Sequence, residues 1–160
     1  MMIHKIVRTF LFSLLFLSGV LVAAEPAHDF SLQGEKGSVS LSQYKGQVVY
    51  LDFWASWCGP CRQSFPWMNE MQQRYGAKGF KVIAINLDKE KALRDKFLEA
   101  VPAKFTIAYD PDGKVAEQYR VQGMPSSYLI DRNGNIYTHH LGFREKDAAE
   151  LEKTIQSLLQ

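Results

Sequence analysis

The sequence predicts an α/β protein in which helices cover both faces of a central sheet. Residues 48–54, Val-Val-Tyr-Leu-Asp-Phe-Trp, are apolar on both sides of the predicted strand, which is typical of a central strand buried between helices. A helix-compatible stretch with apolar residues on one face follows over residues 58–75. Asn133-Gly134, which stands between two strand-like segments, predicts a hairpin near the end of the chain.

The chain opens with the features of a secretory signal peptide. Lys5 and Arg8 precede an apolar run over residues 10–24. This run is shorter than the ~20 apolar residues that comfortably span a bilayer. We therefore expect cleavage after Ala24 and export to the periplasm or another extracytoplasmic compartment. An uncleaved N-terminal anchor is the alternative.

The domain organisation follows from this division. Residues 1–24 are assigned to the signal peptide and residues 25–160 to one domain, which is long enough to bury a sizeable core. The leader carries two of the 19 Lys and Arg residues and no acid, so the rest of the chain has 17 basic and 17 acidic residues. No basic stripe remains to suggest a nucleic-acid partner.

The N-terminal part of the domain predicts an extension before the main sheet. Residues 25–46 are rich in turns, and segments 30–32 and 39–41 are expected to form a hairpin beside the sheet. The strand over residues 48–54 follows, and Asp52 is its one charged residue. An ionised carboxylate is costly to bury without a partner, so one alternative places Asp52 at a solvated strand end.

Cys58 and Cys61 are the only cysteines, and they stand where the buried strand gives way to the helix. A CxxC in this position is the sequence form of a dithiol redox centre. Helix N-termini leave N–H groups unpaired and carry a partial positive charge, which favours a thiolate at Cys58. We therefore predict that Cys58 is the nucleophile.

The remaining elements follow from periodicity and turn signals. Asp88 is predicted to cap a helix whose apolar residues are Leu93, Phe97 and Val101. The other predicted elements are strands over 80–87, 105–109, 128–131 and 136–141, a short helix over 115–119, and an amphipathic C-terminal helix over 146–159.

The pentapeptide at residues 57–61, Trp-Cys-Gly-Pro-Cys, is identical to the active-site motif of the thioredoxin superfamily, which this chain resembles. Residues 123–131, Gly-Met-Pro-Ser-Ser-Tyr-Leu-Ile-Asp, are similar to that family's cis-proline and the core strand after it. Together with the turns at 110–113 and 132–135, these motifs resemble the TlpA/ResA-like branch of exported thiol-disulfide oxidoreductases. The resemblance covers residues 27–159.

The resemblance implies a thioredoxin-like α/β/α sandwich with a mixed central sheet. An inserted helix-strand unit is also implied, because 64 positions separate Cys61 from Pro125, more than a minimal thioredoxin uses. The resemblance also assigns Asp52 as the proton acceptor for Cys61. Thioredoxin has a lysine that faces this acid, whereas the aligned residue here is Ala84, so we expect a raised pKa for Asp52. Ser64 stands where the branch commonly has an acidic residue.

The same resemblance identifies the substrate-binding residues as Trp57, Gly59, Pro60, Met124 and Pro125. Trp57 is expected beside the sulfurs, and Gly59-Pro60 is expected to set their geometry. A cis bond at Met124–Pro125 would expose the Met124 backbone, which could pair with an extended substrate segment. An ordinary proline at the start of a strand is the alternative.

These observations predict a protein-disulfide oxidoreductase with no cofactor beyond the Cys58–Cys61 pair. Cys58 attacks a substrate sulfur, and Cys61 then resolves the mixed disulfide. The Gly-Pro dipeptide resembles the reducing members, so a reductase is favoured. The resemblance implies a membrane thiol-reducing protein as electron donor, and protein disulfides, including those of apocytochrome c, as substrates. We expect a monomer.

Other functions are open or disfavoured. A disulfide-forming oxidase and a noncatalytic thiol-binding or metal-carrying protein share the fold. A zinc site that uses His139 and His140 is poorly supported, because adjacent strand residues point to opposite faces, and no metal is expected. Nothing in the sequence resembles the isolated cysteine motif of peroxidases. A purely structural disulfide would constrain the unfolded chain little across so short a loop.

Overall fold

A computed structural model describes residues 24–160, and the signal peptide predicted over residues 1–24 lies outside them apart from Ala24. The strands in the described range are β1 (Glu25–Pro26), β2 (Ser31–Gly34), β3 (Gly37–Ser40), β4 (Val48–Trp54), β5 (Phe80–Asn86), β6 (Thr106–Tyr109), β7 (Ser126–Ile130) and β8 (Asn135–Leu141). The α-helices are α1 (Gly59–Tyr75), α2 (Lys91–Ala100), α3 (Lys114–Gln118) and α4 (Ala148–Leu158). Within this range no helix is both long and apolar enough to span a bilayer.

The strands form one mixed sheet in the order β1-β8-β7-β4-β5-β6-β2-β3. β4 lies in the middle, where it pairs parallel with β5 and antiparallel with β7. All seven residues of β4 are buried, as its continuous apolar pattern predicts. The strand that leads into the cysteine motif is therefore enclosed over its whole length.

The two faces of β4 contribute to two separate core layers. Its even-numbered residues pack with side chains from α1, α2 and α4, including Phe65, Phe97 and Ile155. Its odd-numbered residues pack with Val115 and Tyr119 of the α3 region and with residues of the N-terminal extension. Helices therefore cover both faces, and the predicted α/β/α sandwich is confirmed.

The additions to the sheet also agree with the sequence. β2 and β3 form the predicted hairpin, and β2 joins the sheet through the pair Gln33–Tyr109. Between Cys61 and Pro125 the chain forms β5, α2, β6 and α3, which accommodates the predicted inserted unit. β7 and β8 form the hairpin predicted from Asn133-Gly134, and Gly134 has φ 85° in its turn.

The prediction for Asp88 is wrong. α2 begins at Lys91 after an N-cap at Glu90, and Asp88 caps no helix. Its carboxylate instead accepts hydrogen bonds from Ser56, which lies 32 residues earlier in the chain. The apolar repeat was also misjudged, because Leu93 is 45 % exposed and only Phe97 of α2 is buried. Local sequence could not reveal a partner that the sheet brings from another loop.

Candidate active site

The two cysteines lie at the N-terminus of α1, directly after the loop that follows β4. Cys58 is the N-cap residue, and its sulfur accepts a hydrogen bond from the Cys61 N–H at 3.2 Å. The sulfurs are joined in a disulfide, with the two Cα atoms 5.3 Å apart. Gly59 and Pro60 begin the helix between them, where a proline loses no intrahelical hydrogen bond. The helix terminus therefore directs an N–H group at the sulfur that is predicted to be the nucleophile.

Exposure distinguishes the two sulfurs. Cys61 is fully buried, whereas Cys58 retains 5 % exposure and is followed by the exposed residues Gly59 and Pro60. Trp57, on the other side of Cys58, exposes 72 % of its surface. A substrate sulfur approaching from solvent would therefore reach Cys58 before Cys61, which agrees with the predicted order of attack.

Asp52 lies on the face of β4 that supports the cysteines. Side chains alternate along a strand, so Asp52 shares its face with Tyr50 and Trp54, which belong to the same core layer as Cys58 and Cys61. Asp52 is 1 % exposed. The alternative of a solvated strand end is therefore wrong, and the carboxyl is buried on the cysteine side of the sheet.

The surroundings of Asp52 offer it little compensation. Its register partners are Ala84 on β5 and Ser127 on β7, so the position aligned with the lysine of thioredoxin holds no cation. Its Oδ2 atom is buried without a hydrogen-bond partner. Burial raises the pKa of Asp52 well above its usual range, as the sequence predicted. The carboxyl can therefore hold a proton under conditions where an exposed aspartate would be ionised.

Several polar residues near Asp52 were missed at the level of sequence. Tyr50 is buried two positions before Asp52, and burial raises its pKa, with Asp52 adding to the effect and a hydrogen bond from Ser127 opposing it. Ser127 pairs in register with Asp52 on one side and with His140 on the other. The ring of Trp67 packs edge-on against Tyr50, with centroids 5.3 Å apart. The alternation of Tyr50 with Asp52 was the available signal, but Ser127 and His140 depend on strand pairing.

The loop before β7 supplies the second part of the site. The Met124–Pro125 bond is cis, as predicted. Met124 is half-buried and packs against the core layer that contains Cys58 and Cys61. The β7–β8 ladder begins at the pair Ser126–Leu141, so the Met124 backbone lies just before it. The structure therefore brings the cis-proline loop and the cysteine motif onto one layer, although they are far apart in sequence.

Ser64 and the histidine pair have ordinary structural contacts. The buried Ser64 hydroxyl donates to the Cys61 carbonyl at 3.0 Å, a bond within the helix. His139 stacks on Tyr128, whereas His140 Nε2 lies 3.7 Å from Asp147. Over residues 24–160, no three His, Cys, Asp or Glu side chains come together in a way that could hold a metal ion.

These features together define a thioredoxin-fold protein with a dithiol-disulfide centre. The family model for AhpC/TSA proteins matches residues 23–139, and the chain belongs to this family.

Individual relatives agree with this assignment. The thiol-disulfide oxidoreductase ResA of Bacillus thuringiensis subsp. konkukian is 34 % identical over 119 residues, which are 74 % of this chain and 68 % of that protein. A candidate thiol:disulfide interchange protein DsbE from Chlorobium tepidum is 56 % identical with a TM-score of 0.84, over 86 % of this chain and 97 % of that one.

A third structure, the exposed lipoprotein thioredoxin Etrx1 of Streptococcus pneumoniae, is 35 % identical with a TM-score of 0.70, over 82 % of this chain and all of that one. The resemblance to the TlpA/ResA-like branch is thus confirmed. The protein is a thiol-disulfide oxidoreductase of the ResA/DsbE type that exchanges disulfides with protein substrates.

Replacing Asp52 with Asn is expected to raise the free energy of unfolding at pH 7 by roughly 1 to 3 kcal/mol, because the carboxyl ionises more readily in the unfolded chain than in the folded one, whereas Asn does not ionise. The folded pKa of Asp52 is raised above its unfolded value of about 4. Its contribution to stability is therefore complete below that value and is lost as pH rises toward the folded pKa. Denaturant unfolding as a function of pH should show the largest gain near neutrality and little gain near pH 4.

Asp110 provides a matched control for this measurement. It is also buried, but its carboxylate accepts hydrogen bonds from the N–H groups of Lys114, Val115 and Ala116 at 2.9 to 3.0 Å. Asp110→Asn loses part of this bonding and should lower stability at pH 7. A loss of stability in Asp52→Asn as well would contradict the assignment of Asp52 as an unpaired buried acid.

Proposed function

We propose that this protein is an extracytoplasmic disulfide reductase in which Cys58 attacks, Cys61 resolves and Asp52 handles the resolving proton. The observation that supports it most directly is the asymmetry of the cysteine pair. Cys58 retains 5 % exposure and has an N–H directed at its sulfur, while Cys61 is fully buried on the face of the sheet that also carries Asp52.

The first step uses the reduced protein. The Cys58 thiolate, favoured by the N-terminus of α1, attacks one sulfur of a substrate disulfide. The substrate S–S bond breaks as the Cys58–substrate bond forms, and the departing substrate thiolate takes a proton from solvent. Trp57 and the Met124 backbone flank this position and are proposed to contact the substrate chain, with Met124 pairing to it as an added strand.

The second step releases the substrate. Asp52 accepts the proton of Cys61, and the resulting thiolate attacks the Cys58 sulfur, so that the mixed disulfide breaks. The second substrate thiolate leaves and takes a proton from solvent, to which Asp52 then releases the proton that it had accepted. The substrate has then gained two electrons and two protons, and the Cys58–Cys61 disulfide has formed. The raised pKa of Asp52 suits this task, because a strongly acidic carboxyl would be a poor proton acceptor.

The leader and the relatives support the proposed compartment and partners. Residues 1–24 have a signal-peptide pattern, and the Streptococcus pneumoniae neighbour is named as an exposed lipoprotein. A reductase in an oxidising compartment needs a supply of electrons, for which a membrane thiol-reducing protein is proposed. The cysteines of apocytochrome c are proposed as a candidate substrate on the basis of this chain's resemblance to the ResA-like branch.

Catalysed reduction of insulin disulfides by excess dithiol tests the function. We expect turnover by the wild type, none by Cys58→Ser, and at least a tenfold slower rate for Asp52→Asn at pH 7, because Asn accepts no proton. Cys58 of the Asp52→Asn variant should still react with alkylating reagents. Wild-type protein that fails to accelerate the reaction would identify a noncatalytic binder, and an unchanged rate in Asp52→Asn would remove Asp52 from the mechanism.

The order of attack is tested by trapping. Cys61→Ser can attack a substrate but cannot resolve the mixed disulfide, so it should accumulate covalent complexes with oxidised protein substrates. Cys58→Ser leaves only the fully buried Cys61 and should accumulate none. Nonreducing gel electrophoresis after acid quenching measures both variants, and equal trapping by the two would reject the proposed order.

A further inference from the structure

The carboxylate of Asp88 is a buried charged group that the exchange reaction itself does not use. Asp88 is 3 % exposed and lies two residues after the end of β5 at Asn86. Its Oδ2 accepts from the Ser56 N–H at 2.9 Å and from the Asn86 side-chain amide at 2.7 Å, and its Oδ1 accepts from the Ser56 hydroxyl at 2.8 Å. Asn86 in turn accepts from the Asp88 N–H at 3.1 Å, so the two side chains fix each other.

Ser56 belongs to the loop that carries the nucleophile. It stands two residues before Cys58, and the Cys58 N–H donates to the Ala55 carbonyl at 3.1 Å. The start of the loop is fixed by the bond from the Leu87 N–H to the Trp54 carbonyl at 2.9 Å. Asp88 thus ties the middle of the loop to the end of β5, between that bond and the first turn of α1.

Burying a carboxylate is an expensive way to gain stability, because a well-packed apolar side chain often serves equally well. What the carboxylate supplies here is position. It bonds both the backbone N–H and the hydroxyl of Ser56, which fixes the main chain and the rotamer of one residue together. Trp57 does not anchor the loop by burial, since 72 % of its surface is exposed.

We propose that Asp88 is a positioning residue which, through Ser56, holds Cys58 where the Cys61 N–H and the N-terminus of α1 stabilise its thiolate. The proposal deepens the function argued above, since it rests on Cys58 being the nucleophile. It also predicts where the effect appears. In the oxidised protein the disulfide holds Cys58 in place, whereas in the reduced protein the sulfur depends on its loop.

The alignment that the loop maintains is sensitive to small displacements. Groups in an active site must be held within about 0.5 Å of their productive geometry to keep their effect. A loosened loop would weaken the hydrogen bond from the Cys61 N–H, which is 3.2 Å long in this structure. It would also move the thiolate away from the partial positive charge of the helix N-terminus. Loosening should therefore raise the pKa of Cys58 in the reduced protein.

Three variants separate positioning from charge and from general stability. Ser56→Ala removes the hydroxyl donor but keeps the Asp88 charge, so it changes only the tie between them. Asp88→Asn removes the charge and part of the tie. Asp110→Asn is the matched control, because Asp110 is equally buried and accepts hydrogen bonds from three backbone N–H groups. Those N–H groups belong to the start of α3 and not to the cysteine loop. Asp52 is present in all three, so its influence on the cysteines is shared.

The measurement is thiolate absorbance against pH on each reduced protein, with the unfolding free energy measured beside it. We expect the Cys58 thiol dissociation constant to fall about three- to tenfold in Ser56→Ala and in Asp88→Asn, and to stay unchanged in Asp110→Asn although that variant is less stable. A dissociation constant unchanged in Ser56→Ala would overturn the proposal by making the tie merely structural. A rise in Asp88→Asn would overturn it by making the charge, not the position, the controlling factor.

Because this titration is made on the isolated reduced protein, it stands apart from the insulin assay. Wild-type protein that fails to reduce insulin but shows the expected pKa changes would reject the proposed function and leave the positioning role of Asp88 intact. If the wild-type protein reduces insulin and all three variants have the Cys58 dissociation constant of the wild type, the positioning role alone is rejected.

Discussion

The hydrogen bond from the Cys61 N–H to the Cys58 sulfur depends on where α1 begins. Cys58 can be the N-cap only because β4, buried over its whole length, ends at Trp54 and delivers the chain to the edge of the sheet at a fixed point. The same enclosure keeps Cys61 out of solvent. The central strand thus determines which sulfur solvent can reach, which sulfur lies at the N-terminus of α1, and which residues pack beneath the two sulfurs.

Three buried aspartates among the described residues show how the structure divides stability from function. Asp88 and Asp110 each accept three hydrogen bonds, which satisfies the need of a buried carboxylate for donors. Asp52 keeps one oxygen unpaired, on the face of the sheet that carries the cysteines. The unsatisfied acid is therefore found at the site where a proton has to be exchanged, in line with the general tendency of active sites to sacrifice stability.

Patterns within short stretches of sequence were enough to predict much of this structure. The continuous apolar run of β4, the Asn133-Gly134 turn and the cysteine motif each have local signals, and the cis-proline came from resemblance to a family. The Asp88–Ser56 tie has no such signal, because its partners are 32 residues apart and meet only when β4 pairs with β5. The alignment of Asp52 with Ser127 and His140 likewise needs the register of β4, β7 and β8, which local patterns do not specify.

The reduction potential of the Cys58–Cys61 pair tests the central claim most directly. It is obtained from the equilibrium of the purified domain with defined ratios of reduced and oxidised glutathione or dithiothreitol. A reductase should have a potential near that of thioredoxin, about −270 mV, because its disulfide must be the more stable form after exchange with substrate. A potential near about −120 mV, typical of a strongly oxidising exchange protein, would contradict the account and identify a disulfide-forming oxidase.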